Sequence, residues 1–433
     1  MLLAGAIVLL ALALRVGYVE STSFHAIDDA STYTRLGAMV ARHGDYHTGS
    51  GFDSGAGGSH GPTAYFPPAY PYFIGLIDLL DGHYAGAPAW RGERLGSAAL
   101  GTISVALLGL VAFELFGAAT ALVATALAAV YPVFIELSGT IVAENLLVVF
   151  MLASVWTALR ARRSRRPLRW IAATGVLAGL ATLSHENAAV FVPPLAVAAA
   201  LAAGGSWRRR LLGGLTLLVA TAAMIAPWTI RNAVELHHFI PVADETGITL
   251  RGTYNAASAS YRPLPYKWRF FWSIPQDAGL MRRAFHEREI TLSGQLESRA
   301  VGYIERHPTA PLVVAWSNLR RMFELRGSEA WHTSAWAIGL HVRDAAVGVV
   351  AFWLLCLFAI AGAVTKLVRR GPWWLWWLPI LYALSIVFVN VETPRFREPI
   401  DPFLLLLAAC AVSTAAGYVR SRIRLRASSP ATL

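Results

Sequence analysis

Cysteine is almost absent. Cys356 and Cys410 are the only two in 433 residues, and each lies inside an apolar run. That excludes a disulfide framework and leaves no thiolate spacing for a structural metal site. Lysine is as rare, with Lys267 and Lys366 alone in a chain rich in Ala, Arg and Gly, a composition that suggests a GC-rich bacterial source. Charged residues make up only 15% of the chain. No Gly-rich nucleotide loop occurs, so the sequence offers no P-loop as a source of energy.

What remains is apolar. Hydrophobic residues reach 56% and mean hydropathy is +0.50. A soluble core of this size does not need so much, and the apolar runs repeatedly approach the ~20 residues that a bilayer core requires. The chain therefore reads as a polytopic membrane protein. In a soluble protein the net charge of +11 would suggest nucleic acid. Here the arginines fall in loops and in a tail, which points to topology and leaves no nucleic-acid partner expected.

Ten spans are expected, at about 1–20, 92–115, 118–136, 144–160, 168–184, 187–204, 211–228, 346–365, 372–390 and 400–418. The first lacks a basic leader and a small-residue cleavage site, so it reads as a retained anchor. One set of short loops carries Arg160 to Arg169, then Arg208 to Arg210, then Lys366, Arg369 and Arg370, and the basic tail 419–433 continues it. With both termini in the cytoplasm, all of these lie inside, as the positive-inside rule demands. The short loops around 137–143 and 185–187 hold no Lys or Arg.

Two long loops then fall outside, about 24–91 and 229–345. The first opens on Asp28 and Asp29, passes through a Gly- and Ser-rich stretch from Thr48 to Ser59, and continues as Tyr-Phe-Pro-Pro-Ala-Tyr-Pro at 65–71. Tyr72 to Leu80 is too short to span and reads as an interfacial helix. The second carries Lys-Trp-Arg-Phe-Phe-Trp at 267–272, cations interleaved with aromatics as at headgroup level, and a helical run from Glu297 to Leu325.

Asp28 and Asp29 can be a solvated helix cap, favourable to the helix dipole, or a reactive pair. Glu144 opens the fourth span among apolar neighbours, where an ionisable group is costly unless something compensates it. His185 and Glu186 sit in the tight turn between spans five and six and can be turn residues or face the same external cavity. Arg395 and Arg397 break the charge rule by lying outside. In an extended, Pro-bounded segment both guanidiniums would point the same way, and arginine's planar fork suits phosphate. An ion pair with Glu392 or Glu398 is the alternative. Arg231 and Asn232, in Ala-Pro-Trp-Thr-Ile-Arg-Asn, close the seventh span on the same side.

The ordered set resembles the GT-C superfamily of integral membrane glycosyltransferases, in its bacterial branch akin to protein O-mannosyltransferases and the aminoarabinose transferase of lipid A. The likeness runs along nearly the whole chain. It rests on Asp28-Asp29 with Tyr33 and Gly44-Asp45-Tyr46, on Phe66-Pro67-Pro68-Ala69-Tyr70-Pro71 with Asp81-Gly82 and Arg94, and on Tyr131-Pro132 with Ser138 and Glu144-Asn145-Leu146. Ala226-Pro227-Trp228 with Arg231-Asn232, and Pro394-Arg395-Phe396-Arg397 with Pro399 and Pro402, complete it. The chain departs in having Asp-Asp where the family often has Asp-Glu. It also lacks, after the tenth span, the large soluble domain of some relatives, so the acceptor goes unnamed.

The resemblance implies an all-α GT-C-type bundle of about ten transmembrane helices, with interfacial helices in the two long extracytoplasmic loops. It implies transfer, with inversion, from a polyprenyl-phosphate-linked sugar donor to a hydroxyl of a lipid, cell-wall glycan or protein, at the outer face of the bacterial cytoplasmic membrane. Asp28 would be the general base, Asp29 structural or cation-binding, and Glu144 would position the acceptor or share the proton. Arg395, Arg397 and Arg231 would hold the donor phosphate, while Tyr33, Tyr65, His185, Glu186 and Asn232 would line the site. No cofactor is required. A divalent metal near the first-loop acids stays open, with His47, His60, His185 or His237 able to assist. A transporter or lipid flippase using carboxylates as a proton relay is the rival from another class. An enzyme using pyrophosphate-linked donors would share the same carboxylate and arginine logic.

Overall fold

The computed structural model describes residues 2–48, 61–280 and 287–427. His60, most of the Gly- and Ser-rich stretch and the end of the basic tail lie outside the described residues. Helix covers each expected span: Leu2–Ser21, Gly86–Phe116, Ala118–Val130 with Pro132–Ser138, Glu144–Ala161, Pro167–Ser184, Val192–Ala203, Trp207–Leu236, Val342–Ala363, Trp374–Val387 and Asp401–Ala427. Among the described residues seven helical segments are long and apolar enough to cross a membrane, and a bent pair makes eight. The fold is all-α and the protein is a multi-pass membrane protein. Among the described residues the one sheet is a two-residue antiparallel pairing of His47–Thr48 with Gly61–Pro62.

Two expected segments are interrupted, each at a proline, and a third is short. The span expected over 118–136 bends by 56° at Tyr131, because Pro132 cannot donate a helical hydrogen bond and its ring clashes with the turn before it. The helical run expected over 297–325 is instead two helices, Glu289–Arg306 and Ala310–Met322, parted at Pro308. The ninth span is a helix of only 14 residues, Trp374–Val387, about 21 Å long at 1.5 Å per residue and short of a ~30 Å core. The chain then runs without regular structure from Asn390 to a 3-10 turn at Arg395–Arg397.

The spans pack through small residues, as lipid-embedded helices do. A Cβ at Gly362 would collide with the Leu407 backbone, and one at Gly175 would meet the carbonyl of Leu217 at 2.5 Å. Over one end of the bundle lies an outer layer made of Asp28–His43, Ala69–Asp81, Thr246–Thr253, Glu289–Arg306, Ala310–Met322 and Ser328–Ala337. In Ala69–Asp81, Tyr70, Ile74 and Asp78 are buried while Tyr72, Leu76, Leu79 and Leu80 are exposed, the two-faced pattern of a helix lying in an interface. Asp28–His43 packs against it backbone to backbone, since a Cβ on Gly75 would stand 2.8 Å from the carbonyl of Gly37. A second hydrophobic core fills this layer, with Tyr33, Phe66, Tyr70 and Ile74 at its centre.

Candidate active site

The helix Asp28–His43 begins with both acids in its first turn, where the dipole favours negative charge. The capping reading and the functional reading are thus compatible. The pair opens the helix, and the two carboxylates part company. Asp28 takes a left-handed φ of 46°, a conformation Asp tolerates better than most residues. Its carboxylate has no hydrogen-bond or ion-pair partner among the described residues. Asp29 accepts a hydrogen bond from Arg395 Nη1 at 2.6 Å.

Arg395 is 8% exposed and carries a second partner, Glu144, whose Oε1 accepts from Nε at 2.8 Å. Glu144 is fully buried. It stands behind the guanidinium, with His185 Nε2 at 3.7 Å from the same oxygen. The His185 ring meets Phe396 edge-on at 6.1 Å, and Phe396 in turn underlies the Arg395 guanidinium at 4.9 Å. The Asp29–Arg395–Glu144 network thus ties the first loop, the fourth span and the segment before the last span into one unit.

This unit faces a cavity of about 400 Å³. Asp28, Asp29, Tyr33, Tyr65, His185, Glu186 and Arg395 all line it, as do Glu245, Lys267, Arg269 and Glu392. Tyr33 is wedged edge-on to Tyr70 at 5.0 Å and Tyr65 edge-on to Phe66 at 4.6 Å, which fixes the aromatic wall. Burial, then the nearby charges of Asp29 and Glu392, pushes the Asp28 carboxyl up to about 6. Burial with Glu186 and Asp29 nearby pushes Glu245 well above the ordinary carboxylate range. Glu392 moves the other way: burial alone would raise it, but Lys267 and Arg321 outweigh that and hold it at about 2. Lys267 Nζ donates to Glu392 at 2.9 Å.

Four expected site residues do not reach the cavity: Glu144, expected to position the acceptor or share the proton, is fully buried behind Arg395 and outside the lining, and Arg397, Arg231 and Asn232 point elsewhere. Arg397 was expected beside Arg395, on the premise of an extended segment. The segment is a 3-10 turn, so Arg397 swings inward to Glu324 at 2.8 Å and Asp401 at 3.3 Å. Arg231 donates to the carbonyls of Thr63 and Tyr46 at 2.6 and 2.7 Å and stacks on Trp228, which pins the first loop to the end of its helix. Asn232 is buried and donates to the Ile240 carbonyl at 3.0 Å. The pairing of Arg395 with Glu392 or Glu398 is replaced by its pairing with Asp29 and Glu144.

Sequence reasoning missed Glu245, Lys267, Arg269 and Glu392 as cavity residues. Lys267 carried a usable signal, since it is one of two lysines and lies on the side where short loops avoid cations. Glu245 carried none. Among the described residues no group of three or more His, Cys, Asp or Glu side chains has a geometry that would hold a metal ion.

The sequence family described as dolichyl-phosphate-mannose-protein mannosyltransferase matches residues 66–230. By overall structure the chain is similar to the archaeal oligosaccharyltransferase AglB from Archaeoglobus fulgidus in complex with an inhibitory peptide and a dolichol-phosphate. The TM-score is 0.58 at 15% identity, over 99% of this chain and 52% of that one. A second structure of the A. fulgidus oligosaccharyltransferase, with Zn and sulfate, gives 0.56 at 15% identity, over 98% and 50%. The fold is that of the GT-C superfamily. This chain spans about half the length of those two oligosaccharyltransferases. ArnT from Cupriavidus metallidurans bound to undecaprenyl phosphate overlays less well, at 0.42 and 17% identity over 95% of this chain and 78% of that one. A comparison with curated proteins finds no match.

Proposed function

We propose that this chain is an inverting glycosyltransferase that moves a sugar from a polyprenyl-phosphate-linked donor to an acceptor hydroxyl, at the outer face of the bacterial cytoplasmic membrane. The observation that carries the reading is a single cavity holding an unpaired carboxylate, Asp28, and a braced guanidinium, Arg395. The match to a mannosyltransferase family over 66–230 and the GT-C fold support it.

In this reading the acceptor oxygen attacks the anomeric carbon as the bond from that carbon to the donor phosphate oxygen breaks, through an oxocarbenium-like state. Asp28 takes the acceptor proton. A carboxyl near 6 is suited to that task, because a base works best with a pKa close to the working pH. Arg395 commits Nε and Nη1 to Glu144 and Asp29, which leaves Nη2 to meet the departing phosphate. The guanidinium is held in place before reaction, so charge developing on the leaving group meets a preorganised partner. Lys267 and Arg269 supply further positive charge in the same cavity. Asp29 and Glu144 act as braces for Arg395, with His185 set against Glu144. Arg231 and Arg397 hold structure. A lipid-linked donor arrives already activated, so no nucleotide site is called for.

The test is transfer from a panel of radiolabelled polyprenyl-phosphate sugars by the purified protein in lipid, comparing wild type with Asp28→Asn. Consumption of one donor by wild type, with the variant binding it but turning it over at least ~100-fold more slowly, is the expected result for a lost general base. If no donor is consumed while proton-coupled substrate uptake appears in proteoliposomes, the cavity carboxylates form a relay and the transferase reading is wrong.

A further inference from the structure

Arg397 lies two residues from Arg395 on the same short turn, yet it belongs to a different environment. It is 1% exposed, and its partners come from three places: the stretch 322–324, Phe352 and, four residues on, Asp401. Nη1 donates to Glu324 Oε1 at 2.8 Å and to the Met322 carbonyl at 3.1 Å. Asp401, at the start of the last span, stands 3.3 Å from Nε and also accepts from Tyr131 at 3.0 Å. The guanidinium lies 3.5 Å over the ring of Phe352. Both acids are buried, Asp401 completely and Glu324 at 4% exposure. Burying one cation between two anions is far more than is needed to end a turn. Glu324 itself adopts a left-handed φ of 58°, an unfavourable backbone for a residue of its kind that persists only where its surroundings demand it. That conformation lets its carboxylate meet Arg397.

We infer that Arg397, clamped by Glu324 and Asp401, is a positioning residue that sets the register of the Arg395–Arg397 turn and so holds Arg395 against Asp29 and Glu144. The clamp fixes one end of a three-residue turn, and the Arg395 guanidinium at the other end meets its two carboxylates and the ring of Phe396, which rides on the same turn. The clamp also joins the turn to the end of the helix Ala310–Met322, so the second long loop bears on the position of the cavity cation. The inference rests on the reading of Arg395 as the donor-phosphate ligand, and the experiment separates the two.

The experiment compares wild type, Glu324→Asp, Glu324→Gln, Arg395→Lys and the double variant Glu324→Gln/Arg395→Lys, in lipid, by amide hydrogen exchange and by donor KM. Exchange over residues 395–398 should quicken at least 10-fold in Glu324→Gln, less in Glu324→Asp, and stay near wild type in the spans. Donor KM should rise several-fold in Glu324→Gln, and that rise should largely vanish when Arg395 is already Lys, because coupled residues are non-additive. Unchanged exchange in the turn overturns the inference, as does a KM effect that simply adds to that of Arg395→Lys. If wild type consumes no lipid-phosphate sugar, the proposed activity fails while the exchange measurement still decides whether Glu324 holds the turn. If Glu324→Gln does not fold, Glu324→Asp alone decides on the same exchange criterion.

Discussion

At the scale of single residues, Asp28 combines an ordinary position with an unusual state. It sits where any helix would accept an acid, but lacks a partner among the described residues and is pushed up to about 6 by burial and by its acidic neighbours. A carboxyl raised in the folded state contributes stability that is present below its ordinary value and is lost as pH rises through the folded one. Asp28→Asn should therefore raise Tm relative to wild type at pH 8 and not at pH 4, a difference that thermal melts at the two values will reveal. Asn also tolerates the left-handed backbone found there. A lower Tm at pH 8 would mean that the ionised carboxylate has a stabilising partner after all. Arg395 behaves oppositely, because its loss strands the buried Glu144. Arg395→Ala is expected to cost about 3–5 kcal/mol, the usual penalty for unpairing a buried charge. Arg395→Lys keeps the charge but not the fork, so donor KM should rise about 10-fold, the worth of one charge-assisted hydrogen bond. Melts and donor titrations measure both.

At the scale of elements, the cavity depends on how two outer helices meet. Gly37 and Gly75 let Asp28–His43 and Ala69–Asp81 touch through their backbones. Gly75→Ala would push the acid-bearing helix away, so a loss of about 1–3 kcal/mol in stability is expected, with a fall in transfer rate. An unchanged melt and rate would show that the first helix is located by other contacts. Much of this layer was legible from sequence. Tyr72 to Leu80 was too short to span and read as interfacial, and Arg395 announced itself by violating the charge rule. What could not be read were the pairings, since Arg395 meets Glu144 across 251 positions and Asp29 across 366. Arg397 was assigned to the cavity because strand alternation was assumed. In a 3-10 turn residues two apart diverge, and no local signal between two prolines chooses one geometry over the other. Pro132 and Pro308 were visible breakers, yet only the packed structure bends the chain at them.

At the scale of the whole molecule, ten helical segments leave the arginine-rich connections at one end and the cavity at the other. Glu144 and Arg160 mark the two ends of a single helix, Glu144–Ala161. At the basic end, Arg160 and Arg163 both pair with Glu114, at 3.0 and 2.7 Å. On the positive-inside rule we propose that the cavity lies outside. In a chain with Cys356 and Cys410 replaced, Ser260→Cys should react with an impermeant maleimide in intact cells, and Ser164→Cys only after the membrane is opened. The reverse pattern would turn the protein over and remove the outer-face site.

In the proposed mechanism the carboxylate of Asp28 takes a proton from the acceptor while Arg395 receives the phosphate. The most direct measurement is the single-turnover rate of transfer from bound polyprenyl-phosphate sugar across pH 4.5 to 8, in wild type and in Asp28→Asn. The wild-type rate should rise as pH climbs through about 6, where the base form of Asp28 becomes dominant. The variant should be slower by about 10²–10⁴ and flat across the range. A variant that keeps the wild-type rise would assign the titrating group elsewhere and contradict the role given to Asp28.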